Sequence, residues 1–302
     1  MSTTARLRAG DVLERTREEG RPALVGYLPV GFPDQELCIQ AARTLVDNGV
    51  DVLELGLPYS DPVMDGPVIQ QAATAALAGG TRTHHVLEAV EALRGSGAAV
   101  LVMTYWNPVL AQGVASFAHR LGAAGGAGLI TPDLIPDEAG DWLAASEEEG
   151  LDRVFLVAPS SPRERLSHVV SHASGFVYAA STMGVTGTRD SVGEATRGLV
   201  ERTRAAGARN VCVGLGVSTG TQAAEVGAYA DGVIVGSAFV KALMEDLAAA
   251  GAAAAGADAA GADGADPGED PSHDAAVPMP RLAAKARELR EGVESARSGA
   301  RA

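Results

Sequence analysis

The chain has 302 residues, 46% hydrophobic but only 4% aromatic, and a formal net charge of −14. That length allows one large domain or two ordinary ones, with a core built mainly from Ala, Val and Leu. The acidic balance excludes a nucleic-acid binder, which needs clustered Lys and Arg, and argues against docking on an anionic membrane.

Residues 5–19 predict a charged opening helix. Short apolar runs then alternate with helical patterns. Strands are predicted near 23–28, 51–56, 99–104, 127–130, 153–157, 175–180, 210–214 and 231–235, and helices near 34–48, 67–79, 83–95, 114–124, 138–149, 163–171, 193–206 and 219–228. Eight strands, each followed by a helix, have the size and rhythm of a (β/α)8 TIM barrel, with an open doubly wound sheet as the structural alternative. Residues 249–279 break the rhythm with Ala, Gly, Asp and Pro, and carry Asp258, Asp263, Asp266, Glu269, Asp270 and Asp274 without one Lys or Arg. This stretch reads as a low-complexity insertion, disordered or loosely helical. A last outer helix, about 280–293, puts Leu282, Ala286 and Leu289 on one face. The expectation is one domain over 1–302, with a barrel core at about 20–248. Cys38 and Cys212 lie far apart in apolar surroundings, as small core residues of a reduced, cytoplasmic protein do. Neither a signal peptide nor a membrane span is legible.

The stretch with most chemical content is 51–67, Asp-Val-Leu-Glu-Leu-Gly-Leu-Pro-Tyr-Ser-Asp-Pro-Val-Met-Asp-Gly-Pro. Its strand alternates, with Val52, Glu54 and Gly56 facing one way and Leu53 and Leu55 the other. Glu54 therefore sits inside an otherwise buried strand, where a carboxylate must be ion-paired or carry a raised pKa. The first makes it structural; the second makes it a general acid/base. Asp65 follows in the loop.

Barrel chemistry collects at the C-terminal ends of the strands, so the candidates there are Tyr27, Glu54 with Asp65, Tyr105, Asp133, Tyr178 and the loop 184–188. Glycine turns follow the sixth, seventh and eighth strands, at Gly184–Gly187, Gly214–Gly216 and Gly236-Ser237. Ser237 opens a helix, whose bare N–H groups favour a phosphate. The alternative is three ordinary turns. His84 and His85 diverge on a helix, while His168 and His172 have i, i+4 spacing but no further ligand signature. No metal site is expected. No Lys on an apolar strand offers a Schiff base, and no P-loop or nucleophile elbow is present.

The run Leu53–Pro67 closely resembles the signature of the tryptophan synthase α subunit family. Gly26–Pro33, Met103–Pro108, Gly184–Gly187 and Gly236–Ala238 match that family in order and spacing, and the resemblance covers roughly residues 5–248 and the last helix. It implies a barrel lyase that cleaves indole-3-glycerol phosphate to indole and glyceraldehyde 3-phosphate. The indole then passes to a β subunit that uses pyridoxal phosphate to make tryptophan, in an α2β2 assembly. No cofactor is implied in this chain. By resemblance Glu54 is the acid/base at indole C3 and Asp65 holds the indole N–H. Tyr27, Tyr105 and Tyr178 line the pocket, and Gly187, Gly216, Gly236 and Ser237 cradle the phosphate. Thr186 lies in a mobile loop that closes over the substrate and helps position Asp65. Ile135 replaces a common proline, leaving the role of Asp133 open, and the acidic insertion is foreign to the pattern. The rivals are a phosphate-binding barrel of other specificity and a barrel that only binds and activates a partner.

Overall fold

The computed structural model describes residues 6–180, 189–214, 216–260 and 277–296. Its strands are β1 (Ala23–Pro29), β2 (Val52–Gly56), β3 (Ala99–Met103), β4 (Gly128–Ile130), β5 (Asp152–Val154), β6 (Leu156–Val157), β7 (Val177–Ala180), β8 (Val211–Gly214) and β9 (Gly232–Val235). All pair in parallel, in the order β5-β4-β3-β2-β1-β9-β8-β7-β6. The two ends of that order are one strand broken at Phe155, whose carbonyl accepts from Tyr178 N at 3.0 Å. The sheet thus closes on itself as the eight-stranded barrel that the sequence predicts, with its fifth strand split.

The helices are α1 (Ala9–Glu18), α2 (Gln35–Asp47), α3 (Pro67–Ala78), α4 (Thr83–Ala92), α5 (Trp106–Gln112), α6 (Val114–Ala124), α7 (Gly140–Glu149), α8 (Arg163–His172), α9 (Arg189–Ala205), α10 (Gly220–Gly227), α11 (Ser237–Ala260) and α12 (Pro280–Ser295). Starts follow local chemistry. Asp34 accepts from Leu37 N to cap α2, Thr219 from Gln222 N to cap α10, and proline opens α3 and α12. Helix α5 is absent from the sequence reading because Asn107-Pro108 looks like a loop. Pro108 falls in its first turn, where a missing N–H costs nothing.

Alternation along the strands divides the core in two. Val25, Val52, Leu101, Ile130, Val154, Cys212 and Ile234 fill the barrel, and Ala9, Val12 and Leu13 of α1 pack with them as a plug. Leu24, Leu53, Leu55, Val100, Val213 and Val233 face outward against Leu45, Ala72, Phe117, Leu121, Phe239 and Leu289 of the helices. Each such buried aliphatic side chain contributes about 1.5–3 kcal/mol.

At the N-terminal ends of the strands, buried aspartates are fully engaged. Asp51 accepts from Arg21 Nη1 and Nη2 (2.8 and 2.9 Å), Leu24 N (2.9 Å) and Arg290 Nη1 (3.3 Å). Asp152 binds Arg8 and Ala9 N, and Asp231 binds Arg204 and Val211 N.

The Ala/Gly-rich stretch is less featureless at its ends than its composition suggests. Helix α11 continues to Ala260, and Met279, expected within the insertion, is buried against the core. Asp246 of α11 is also buried and accepts from Arg281 N and Leu282 N, capping α12 from across the gap. Residues 261–276 lie outside the described residues. No helix among those described is long and apolar enough to cross a membrane.

Candidate active site

Glu54 stands in the middle of β2, opposite Tyr27 of β1 and Leu101 of β3. Strand parity points it into the barrel with Val52, among apolar neighbours. It is 1% exposed, and among the described residues its Oε1 has no hydrogen-bond partner. Burial alone pushes its pKa from 4.5 up to about 8. The ion pair that would have made this residue structural belongs instead to Asp51, three residues earlier and at the other end of the strand. At neutral pH Glu54 is therefore an acid that still holds its proton, with one oxygen buried and, among the described residues, without a partner.

Asp65 lies in the loop between β2 and α3, half-buried. Burial raises its carboxyl above the ordinary aspartate value, and its backbone carbonyl accepts from Gln70 Nε2 at 2.7 Å. The Tyr27 phenol is held protonated far above its usual range by burial first, then by the carboxylates of Asp65 and Glu54. Tyr178 is raised likewise by burial and then by Glu54. Tyr27 thus lies within electrostatic reach of both carboxyls, and Tyr178 of Glu54 and Tyr27.

The tyrosines fit because glycines stand beside them. A side chain on Gly56 would collide with the Tyr27 ring and hydroxyl, and one on Gly214 with those of Tyr178. Gly236 flanks Tyr27 from the other side, its hypothetical Cβ 3.4 Å from Tyr27 Cδ1 and 3.4 Å from Ile69 Cδ1. The sequence reading did not include Gly56 among the site residues, although period-two alternation puts it on the face of Glu54.

Tyr105 ends the segment after β3. Its hydroxyl accepts from Val63 N (2.9 Å) and Met64 N (3.0 Å), and its ring stacks on Tyr59 with centroids 5.1 Å apart. Asp133 accepts from Trp106 N with both oxygens (2.9 and 3.1 Å), so its carboxylate is engaged at the start of α5.

Gly216 and Gly236-Ser237 follow β8 and β9, which are neighbours in the sheet. Gly216 has φ +65°, a left-handed turn that favours glycine. Ser237 is exposed and is the first residue of α11. Phe239 N and Val240 N both donate to Gly236 O (3.0 and 3.1 Å), which leaves the earliest N–H groups of the helix free for an anion. Thr186 and Gly187 lie outside the described residues. Among those described, no group of three or more His, Cys, Asp or Glu is placed to hold a metal ion. His168 and His172 pack ring against ring at 4.7 Å, with His168 beside Asp137 at 3.5 Å.

Fold and site together define an enzyme of the parallel (β/α)8-barrel class. The family model described as tryptophan synthase alpha chain matches residues 13–262. The tryptophan synthase alpha chain of Bifidobacterium longum is 51% identical over 290 residues, covering 96% of this chain and 92% of its own. That of Mycobacterium marinum is 59% identical over 240 residues, 80% of this chain and 89% of its own. A crystal structure of tryptophan synthase from M. tuberculosis superposes with a TM-score of 0.79 at 49% identity, covering 95% of this chain and 98% of that one. The alpha subunit from Legionella pneumophila superposes at 0.78 with 30% identity, over 95% and 99%. The chain belongs to the tryptophan synthase alpha chain family, and it is a lyase.

Proposed function

We propose that this chain cleaves indole-3-glycerol phosphate at the mouth of its barrel and passes indole to a β subunit. The observation that carries the chemistry is Glu54, buried and, among the described residues, unpaired at Oε1, with burial pushing its pKa up to about 8. Carbon protonation needs one strong local acid, and the cation it generates needs one anion.

Glu54 delivers its proton to indole C3. The ring nitrogen becomes an iminium, and its N–H faces the carboxylate of Asp65. The Glu54 carboxylate then takes the proton of the side-chain hydroxyl next to the ring. The carbon–carbon bond breaks, its electron pair returns to the ring, and indole and glyceraldehyde 3-phosphate separate. Two carboxyls thus take opposite roles by environment, one kept neutral by burial and one placed in a loop near water. Tyr27 and Tyr178 shape the walls around the indole. Gly216, Gly236 and Ser237 hold the phosphate by backbone N–H groups; Thr186 and Gly187, given related roles by the family resemblance, lie outside the described residues.

This half of the reaction uses no cofactor; pyridoxal phosphate serves the β subunit. The rim suits a partner. Three large apolar side chains among the described residues are exposed, Val63, Leu110 and Ile135, and all three follow β2, β3 or β4 at the catalytic end. An α2β2 assembly would cover them and shield the passage of indole. Indole release from indole-3-glycerol phosphate, measured with and without the β subunit, tests the reading. No release under either condition overturns it.

A further inference from the structure

We infer that Tyr105 is a positioning residue whose hydroxyl clamps the backbone of the loop carrying Asp65. The inference rests on the role given to Asp65 above and extends it to what holds that carboxylate in place. The loop, residues 57–66, is rich in Pro, Ser, Asp and Gly and carries Val63 exposed to solvent. Leu57 and Pro58 are buried at its root, but no residue from Tyr59 to Gly66 is, so the part carrying Asp65 has little apolar burial of its own to fix it within the tolerance that catalysis needs, where a displacement of about 1 Å can cost 100-fold.

The clamp is built from the other side. The phenol oxygen of Tyr105 accepts from Val63 N and Met64 N, the two residues before Asp65, at 2.9 and 3.0 Å. The ring of Tyr105 stacks on Tyr59 from the same loop, interplanar angle 30°. The Tyr59 hydroxyl in turn accepts from Asn107 Nδ2 at 3.4 Å. Tyr105 itself does not float. It is buried, and the next residue, Trp106, donates its N–H to both oxygens of Asp133. A chain of contacts therefore runs from Asp133 through the start of α5 to the two amides preceding Asp65. On the far side of Asp65 the loop is tied by Gln70 Nε2 to the Asp65 carbonyl, so the aspartate is held at both ends. Burial and the carboxylates of Asp65 and Asp133 raise the phenol's pKa, while the two donated N–H bonds lower it, and the net direction is upward. Tyr105 thus stays neutral through the working range of the enzyme.

A residue that merely lines an apolar pocket tolerates Tyr→Phe; a clamp does not. Tyr105→Phe keeps the ring and its stacking and removes only the oxygen. In the full chain, alone and with its β subunit, Tyr105→Phe should lower kcat for indole release about 10- to 100-fold with KM changed less than about twofold. Hydrogen exchange at the Val63 and Met64 amides should speed up about 5-fold or more, the loss of one net hydrogen bond each. In an Asp65→Asn background the same substitution should change kcat less than about twofold, because what it positions has already been removed. Unchanged kcat with unchanged exchange overturns the clamp. So does a change in KM alone, or a loss that multiplies fully with Asp65→Asn, which would mean Tyr105 acts on the substrate itself. If the unmodified chain releases no indole with or without its partner, the functional reading falls, and the exchange of the two amides alone decides the clamp.

Discussion

Glu54 gives the sharpest quantitative test, because its burial ties stability to pH in an unusual direction. In the unfolded chain its carboxyl ionises near 4.5, whereas in the fold it holds its proton up to about 8. Between those values the native state binds a proton that the unfolded state has lost, so stability falls as pH rises, by about 1.4 kcal/mol per pH unit. From pH 5 to pH 8 the penalty reaches about 4 kcal/mol, a large share of the 5–15 kcal/mol that a typical domain possesses. Below 4.5 both states are protonated and the penalty vanishes. Glu54→Gln fills the same space with a group that never ionises and so removes the pH-dependent part. Denaturant unfolding of both proteins from pH 5 to 9 should give curves that diverge as pH rises, the variant gaining about 4 kcal/mol on the wild type by pH 8. Meanwhile its indole release should drop about 100-fold or more for want of a proton donor. Parallel stability curves across that range would refute the argument, since they would mean that Glu54 titrates alike in both states. In wild type, kcat/KM should fall above about pH 8 as the free enzyme loses this proton, and fall at low pH as Asp65 becomes protonated above the ordinary aspartate range.

Asp65→Asn should lower indole release about 100-fold with the fold intact, since an amide cannot balance the iminium charge; a change in KM alone would make the residue a binding group instead. Ser237→Asp should weaken inorganic phosphate and glyceraldehyde 3-phosphate by about 10-fold or more while indole binds as before, because the new anion sits at the helix N-terminus; equal loss of both would signal a damaged fold. Asp51→Ala should lower stability by about 3–5 kcal/mol in urea melts, as removal of the acid takes the buried partner from Arg21 and leaves it with the exposed Glu19. Asp246→Ala should lower it by about 1–2 kcal/mol through loss of the α12 cap.

The barrel was legible because parallel strands buried on both faces leave dense apolar runs, and each of the eight runs was followed by a helical pattern. Alternation also put Glu54 on the face of Val52, and the structure makes that face the inward one, since Val52 fills the barrel while Leu53 and Leu55 pack outward. It could not give partner choice. Asp51 and Glu54 sit three residues apart on one strand, and only the fold reveals that Arg21 and Arg290 reach one and not the other. Helix α5 was hidden by a proline that its first turn tolerates. The contacts of Tyr105 with Val63 and Met64 span about forty residues and join a side-chain oxygen to backbone amides, which leave no pattern in sequence. Met279 looked like part of an insertion because a run of Ala, Gly, Asp and Pro leads into it, yet it is buried in the outer core just before α12.

The distribution of buried carboxylates separates stability from chemistry along the barrel axis. At the N-terminal end Asp51, Asp152 and Asp231 each bind both an arginine and a backbone N–H. Their charge is matched and their oxygens are engaged within the fold, so they tie elements together rather than face a ligand. Further along β2, Glu54 is buried too, yet among the described residues its Oε1 is unmatched. Burial without a partner is destabilising, and it persists in a fold otherwise this well satisfied where the unmet group is needed for something else. The orphaned acid shares β2 with Gly56, and Gly56 and Gly214 make room for Tyr27 and Tyr178. The C-terminal end of the strands carries the open helix start at Ser237 and the loop held by Tyr105. Stability that Glu54 forgoes at one end is supplied by the arginine-bound aspartates at the other, which is how one small barrel can keep a protonated carboxylic acid ready at neutral pH.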